Sequence, residues 1–247
     1  MIPHLSPTAW ALCTLAALLI GIAKAGMSGM GIPAIAIYGS IFGARDSTGV
    51  VLPMLITADI GAVWIFQQHA RWEYIRRLLV PAIAGIIIGT MLMSRMDNDA
   101  FRPLLGGILL GLTVMQGIRV KWPNAYGGVP HAKPVGWTLG LLTGFTTMTA
   151  NAAGPIMAVY CVAVGLPKLE VVGTIAWFFF IVNLVKVPFS VSLGVIHGSS
   201  LLLDLFMAPA IVAGLLVGRW MVHHVSQRLF EAIVLILAAI AATRLLL

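Results

Sequence analysis

The chain has 247 residues, of which 60% are hydrophobic and 9% charged, and its mean hydropathy is +1.01. A soluble domain carries about 25% charged residues, so a water-soluble enzyme or scaffold is excluded and a polytopic membrane protein remains. The net charge of +7 reads as cytoplasmic topology signals and not as a nucleic-acid surface.

In chain order, apolar segment A runs from about Thr8 to Ala23. The N-terminal Met-Ile-Pro-His-Leu-Ser-Pro has no Lys or Arg, so segment A reads as a retained first helix and not as a signal peptide. A glycine-rich break, Gly21-Ile-Ala-Lys-Ala-Gly-Met-Ser-Gly-Met-Gly-Ile-Pro33, interrupts the apolar run. Segment B, Ile32 to Phe42, is about 11 residues, or ~17 Å as a helix, too short for a ~30 Å hydrocarbon core. B is therefore expected to turn back toward the side A came from, although a full crossing by both segments satisfies the same parity. Segments C (Thr48 to Gln67), D (Leu78 to Met93) and E (Phe101 to Ile118) follow, with a polar turn at Arg71–Arg77 and a polar loop at Ser94–Ala100. Residues 119–134, rich in proline and glycine, form the expected linker.

The second half repeats the plan: A′ (Val135 to Thr147), B′ (Pro155 to Gly165), C′ (Val171 to Leu193), D′ (Leu201 to Val222) and E′ (Leu229 to Leu247). Gly21 to Gly31 spans ten residues and so does Gly144 to Gly154; at the same offset Ser28 falls on Asn151. Pro81 then pairs with Pro209, Gly85 and Gly89 with Gly214 and Gly218, and Phe101 with Phe230. The offset grows from 123 to 129 in order, as loop insertions after a duplication would produce. The expected organisation is all-α: a first transmembrane repeat at 1–118, a cytoplasmic linker at 119–134 and a second repeat at 135–247. Each repeat is a glycine-broken hairpin plus three spans, so the two are inverted relative to each other. Nine basic residues then fall on the linker side and four on the other. The linker side is expected to be cytoplasmic, with both termini facing away.

Four polar side chains lie where lipid would penalise them. Lys24 stands at the first break, Asp59 near the middle of C, and Asn183 and Lys186 inside C′. A charge at the bilayer centre costs at least ~2.5–3.5 kcal/mol on insertion scales, so it faces protein or a water-filled cavity. Either lysine could instead snorkel. Asp59 could be a structural ion pair with either of them, or a coupling residue. Asn183 could bond a neighbouring helix, and the glycines could be tight helix contacts. The functional reading is that each break frees backbone N–H groups at a new helix start. Glycine lets a ligand approach, Ser28 and Asn151 add hydrogen bonds, and lysines add charge. Two such starts make a site for a small oxyanion.

Other chemistry is not indicated. Cys13 and Cys161 read as small buried hydrophobes. His223-His224, expected in the D′–E′ loop, lacks partners for a metal site. No catalytic arrangement or cofactor motif is present, so no enzyme activity, metal or cofactor is expected.

Gly26-Met-Ser-Gly-Met-Gly-Ile-Pro33, its counterpart Asn151-Ala-Ala-Gly-Pro155 and the two duplicated halves resemble the TauE/SafE family of sulfite and organosulfonate exporters. That resemblance implies efflux of sulfite or a C2 sulfonate such as sulfoacetate across the inner cell membrane. It puts Ser28, Gly29, Gly31, Asn151 and Gly154 at the break positions. Lys24, Lys186 and Asn183 join the substrate-binding set by charge and place, with Asp59 as ion pair or coupling group. Export needs no coupled ion, since an anion leaving a negative interior gains about 2.3 kcal/mol per charge per 100 mV. The alternatives are a proton-coupled uptake carrier using Asp59 and an anion-selective channel. The expected partners are the small anion and membrane lipid, with no nucleic acid; the reading allows a homodimer.

Overall fold

The structure, a computed structural model, describes residues 5–122 and 133–224. Among the described residues it is all-helical: α1 (Pro7–Lys24), α2 (Gly31–Phe42), α3 (Asp46–Phe66), α4 (Trp72–Met93), α5 (Asn98–Lys121), α6 (Lys133–Ala150), α7 (Gly154–Ala163), α8 (Lys168–Ser192) and α9 (Gly198–His224). Short 3₁₀ turns precede α2 (Ser28–Met30) and follow α3 (Gln67–His69). Six of these helices are long and apolar enough to cross a membrane. The chain is a multi-pass membrane protein. Segment E′ (229–247), Arg228, Arg244 and most of the linker lie outside the described residues. Helix α9 runs to His224, so the backbone of His223 and His224 continues the helix and does not form the expected loop.

Local chemistry sets several boundaries. Ser6 caps α1 through its side chain, and Asp97 caps α5 by accepting from Ala100 N at 2.8 Å. Proline at the first position of α1 fits because its missing N–H would be unpaired there. Helix α6 ends on Asn151, whose φ of +51° is the left-handed conformation that asparagine tolerates.

The broken segments are hairpins. Tyr38 of α2 donates to the Cys13 carbonyl at 3.0 Å, while Gly31 faces Ala23. Helix α2 thus runs back along α1. Helix α7 returns likewise, since Tyr160 lies beside Gly136 of α6 and stacks edge-on with Tyr74 of α4.

The other pairings follow one pattern. In a bilayer, apolar burial does not drive helix association, so small residues that let backbones touch decide it. Helix α1 packs on α9, where Gly21 meets Ile211 and Gly214, and Ala25 meets Gly218. Helix α6 packs on α4, where Gly140 meets Pro81, Gly144 meets Ala82, and Gly89 meets Met148. Both pairs run parallel, because the contact numbers rise together. Helices α3 and α8 run antiparallel, since Gly49 meets Val195 while Gly173 meets Phe66 and His69. A Cβ on Gly21 or Gly144 would collide with a backbone carbonyl of the partner helix. These two glycines therefore belong to helix interfaces. This corrects their reading as the first residues of the breaks, which open only at Ala25 and Asn151.

The two ends of the bundle carry different locks. At one, the Arg45 guanidinium donates to the Met93 and Leu193 carbonyls at 3.2 and 3.0 Å, joining α4 and α8. At the other, Arg71 pairs with Glu170 through two hydrogen bonds.

Candidate functional site

The two breaks meet inside the bundle. A Cβ on Gly154 would sit 3.1 Å from Ser28 Cβ, so the start of α7 touches the turn that begins α2. Between them and α1, α6 and α8 lies a cavity with about 530 Å³ of empty space, its open mouth included. Lys24, Ser28, Gly31, Asn151, Gly154 and Asn183 line it. Apolar wall comes from Ile20, Ile35, Leu55, Ile175 and Phe179, and Thr147 adds a hydroxyl.

Both broken helices start on the wall: the first at Ser28, whose 3₁₀ turn runs directly into α2 and takes up the Gly31 N–H, and the second at Gly154. The first N–H groups of a helix have no intrahelical acceptor, and the helix dipole makes that end partly positive. Space at Gly31 belongs to the cavity. A Cβ there would meet only Ala23 Cβ at 3.9 Å, so the protein itself does not require glycine at this position.

The charged groups form one buried chain. Lys24 Nζ, with its side chain 12% exposed, stands 2.6 Å from Asp59 Oδ1, which is fully buried. It also lies 4.7 Å above the Phe179 ring, a cation–π contact. Asp59 Oδ2 accepts from Asn183 Nδ2 at 2.6 Å. Asn183 Oδ1 in turn accepts from Lys186 Nζ at 3.2 Å. Lys186, 1% exposed, also donates to the Thr147 carbonyl at 2.7 Å and to Asn151 Oδ1. Asn151 Nδ2 donates to the Thr48 carbonyl at 2.8 Å. The chain links α1, α3, α6 and α8 around the cavity.

Lys24, Ser28, Gly31, Asn151, Gly154 and Asn183 thus come together around one cavity. Three placements differ from the sequence reading. Lys186 neither snorkels nor lines the cavity; four acceptor atoms on Thr147, Asn151 and Asn183 hold its ammonium. The Asn151 amide lines the wall with both its oxygen and its nitrogen engaged by protein, so it offers shape more than a free donor. Gly29 faces away, against the Gln116 side chain of α5 at 3.3 Å. Of the two lysines open to Asp59, the direct partner is Lys24.

Sequence reasoning passed over Thr147, Gln116 and Asp204. Gln116 and Asp204 are buried, and Gln116 Oε1 and both Asp204 oxygens have no hydrogen-bond partner among the described residues. The cluster Thr146-Thr147-Met-Thr149 just before the second break was the available signal for Thr147. Asp204, a carboxylate inside an apolar run, was visible in D′.

The family described as "Sulfite exporter TauE/SafE" matches residues 13–245, nearly the whole chain. No curated protein and no solved structure matches.

Proposed function

Because this chain belongs to the sulfite exporter TauE/SafE family, a family of membrane transporters, we propose that it is a secondary transporter that exports a small sulfur-containing anion. The substrate is sulfite or an organosulfonate such as sulfoacetate, and the path is alternating access of two inverted halves across the inner membrane. One observation carries this reading. Two helix starts, at Ser28 and Gly154, and Lys24 border one cavity at the meeting point of the two breaks. Free N–H groups, partial positive ends and one full positive charge suit an oxyanion. The substrate-facing set is Lys24, Ser28, Gly31, Gly154 and Asn183, with Asn151 and Lys186 shaping it from behind and Gly29 packing the first break.

The helix senses support the inversion. If α1 and α9 run one way, α4 and α6 run the other, and α3 opposes α8; each pairing has its counterpart when the halves 1–118 and 135–247 exchange places. The end carrying Arg71, Arg76, Arg77 and Lys168 is assigned to the cytoplasm by its positive charge, which puts the start of α1 outside; with E′ as a further span, the proposal has the C-terminus outside too. The seclusion of Asp59 behind Lys24 favours export over uptake, since a proton relay needs access to the cavity.

Thermal unfolding of purified protein with sulfite, sulfate, thiosulfate and sulfoacetate tests the proposal. A bound anion raises stability by about 2.7 kcal/mol at a hundred times its Kd. Lys24→Met should abolish that shift. No shift with any of these anions, or an undiminished one in Lys24→Met, would refute the site.

A further inference from the structure

This inference rests on the anion site proposed above. The geometry points to Asp59 as a resident counter-ion. It holds the Lys24 charge from inside the protein while the cavity is empty, yields Lys24 to an arriving anion, and reclaims it when the anion leaves.

The two partners of the pair are unequal. Lys24 reaches the cavity wall, whereas Asp59 is fully buried and is not part of that wall. Lys24 is the last residue of α1, and the chain turns away at Gly26, with φ +118°. Its four-carbon stem is flexible and its ammonium is a rotatable point charge. Asp59 is short and sits within α3, and its second oxygen is held by Asn183. In an exchange of partners it is therefore the lysine that moves.

Asp59 is also prepared for the loss. Breaking a buried ion pair is costly because one charge is left uncompensated. Here Asn183 stays on Asp59 Oδ2, and its own oxygen is held by the Lys186 ammonium. The second lysine thus supports the carboxylate through one amide. Lys24 in turn exchanges Asp59 for the substrate and keeps the Phe179 ring face beneath it.

Formal charge fits this role. Two lysines and one aspartate leave a surplus of one positive charge around the cavity. Without Asp59 the surplus would be two, and an anion would be bound too tightly to leave. Transport requires a site favourable enough to enter and weak enough to release. The carboxylate sets that balance by leaving only a fraction of Lys24 free, which weakens apparent affinity by that fraction.

The test is isothermal titration of full-length wild type and Asp59→Asn with thiosulfate, a dianion, and methanesulfonate, a monoanion, alongside transport in liposomes. Asp59→Asn should bind both anions at least about tenfold more tightly (~1.4 kcal/mol), with the larger gain for the dianion and a lower maximal rate. A purely structural ion pair predicts weaker or unchanged binding with no preference between the two anions, and that result overturns the inference while leaving the anion site standing. If neither protein binds any anion, the inference and the proposed site both fail. A second measurement does not depend on the variant folding. Infrared difference spectra of wild type labelled with ¹³C-aspartate should show a carboxylate band moving on addition of thiosulfate. A band that stays in place while thiosulfate binds would also overturn the inference.

Discussion

Glycine does two different jobs in this chain, and two alanine substitutions separate them. At Gly144 a Cβ would fall against the carbonyl and Cα of Ala82, backbone atoms of a packed helix that cannot rotate aside. Overpacking of this kind costs typically ~1–3 kcal/mol. Alanine recovers roughly 0.5–1 kcal/mol of helix propensity. The expected net loss is therefore about 1–2 kcal/mol, a fall in Tm of roughly 2–8 °C at ~2–4 °C per kcal/mol for a chain of this size. Gly21→Ala should behave the same way, because its Cβ would meet the Ile211 carbonyl across the equivalent interface. At Gly31 the added methyl would meet only Ala23 Cβ at 3.9 Å, so Gly31→Ala should leave Tm within about 0.5 kcal/mol of wild type. That methyl would stand in the cavity, so anion-induced stabilisation should shrink. The assay is thermal unfolding in detergent, with and without sulfite. Equal Tm losses at Gly144 and Gly31, or no loss at Gly144, would refute the division of roles.

Ser28→Ala removes a hydroxyl from the cavity wall and should weaken anion binding by about 0.5–1.5 kcal/mol, roughly twofold to twelvefold in Kd, with Tm in the absence of anion unchanged; titration checks this. Asn183→Leu removes the amide that bridges Asp59 and Lys186, leaving Asp59 with Lys24 and Lys186 with Thr147 and Asn151, so it should lower stability by about 1–3 kcal/mol, seen as a fall in Tm, with transport reduced. Tyr38→Phe removes one buried hydrogen bond to the Cys13 carbonyl and should cost about 1 kcal/mol with transport rates unaltered, which separates a stability effect from a functional one. For topology, both native cysteines are buried, so background labelling should be low. A cysteine replacing the exposed Arg95 should react with an impermeant thiol reagent on intact cells, and one replacing the exposed Arg76 only after permeabilisation.

Much of the architecture could be read from the residue string because a bilayer constrains so strongly. Apolar lengths distinguish α1, α3, α4, α5, α8 and α9 as long enough to span and α2 as a short element, and the spacing of Gly31 and Gly154 marks both helix restarts. What could not be read is how neighbours use a residue. Gly21 and Gly31 look alike in sequence. One fills a backbone contact with α9 and the other faces open space, a difference set by a helix about 190 residues away. Lys186 was legible as a misplaced charge, but two of its acceptors, the Thr147 carbonyl and the Asn151 amide, are presented only because α6 ends in a left-handed residue beside α8. Pairing Asp59 with Lys24 rather than Lys186 depends on a separation of a few ångströms, which no spacing rule supplies. Asp204 stands in the sequence as a carboxylate inside an apolar run, and its burial depends on the packing of α9, which spacing alone does not supply.

The exchange of packing partners, α1 on α9 and α6 on α4, governs how the polypeptide can be made. During synthesis α1 enters the lipid long before its mate exists, and it waits there with a glycine furrow against acyl chains. Only when the ninth helix emerges does the first find its seat. A chain severed between Trp122 and Lys133 would yield two fragments, each holding half of both glycine seams. Such fragments should be degraded when made alone and recover activity when made together.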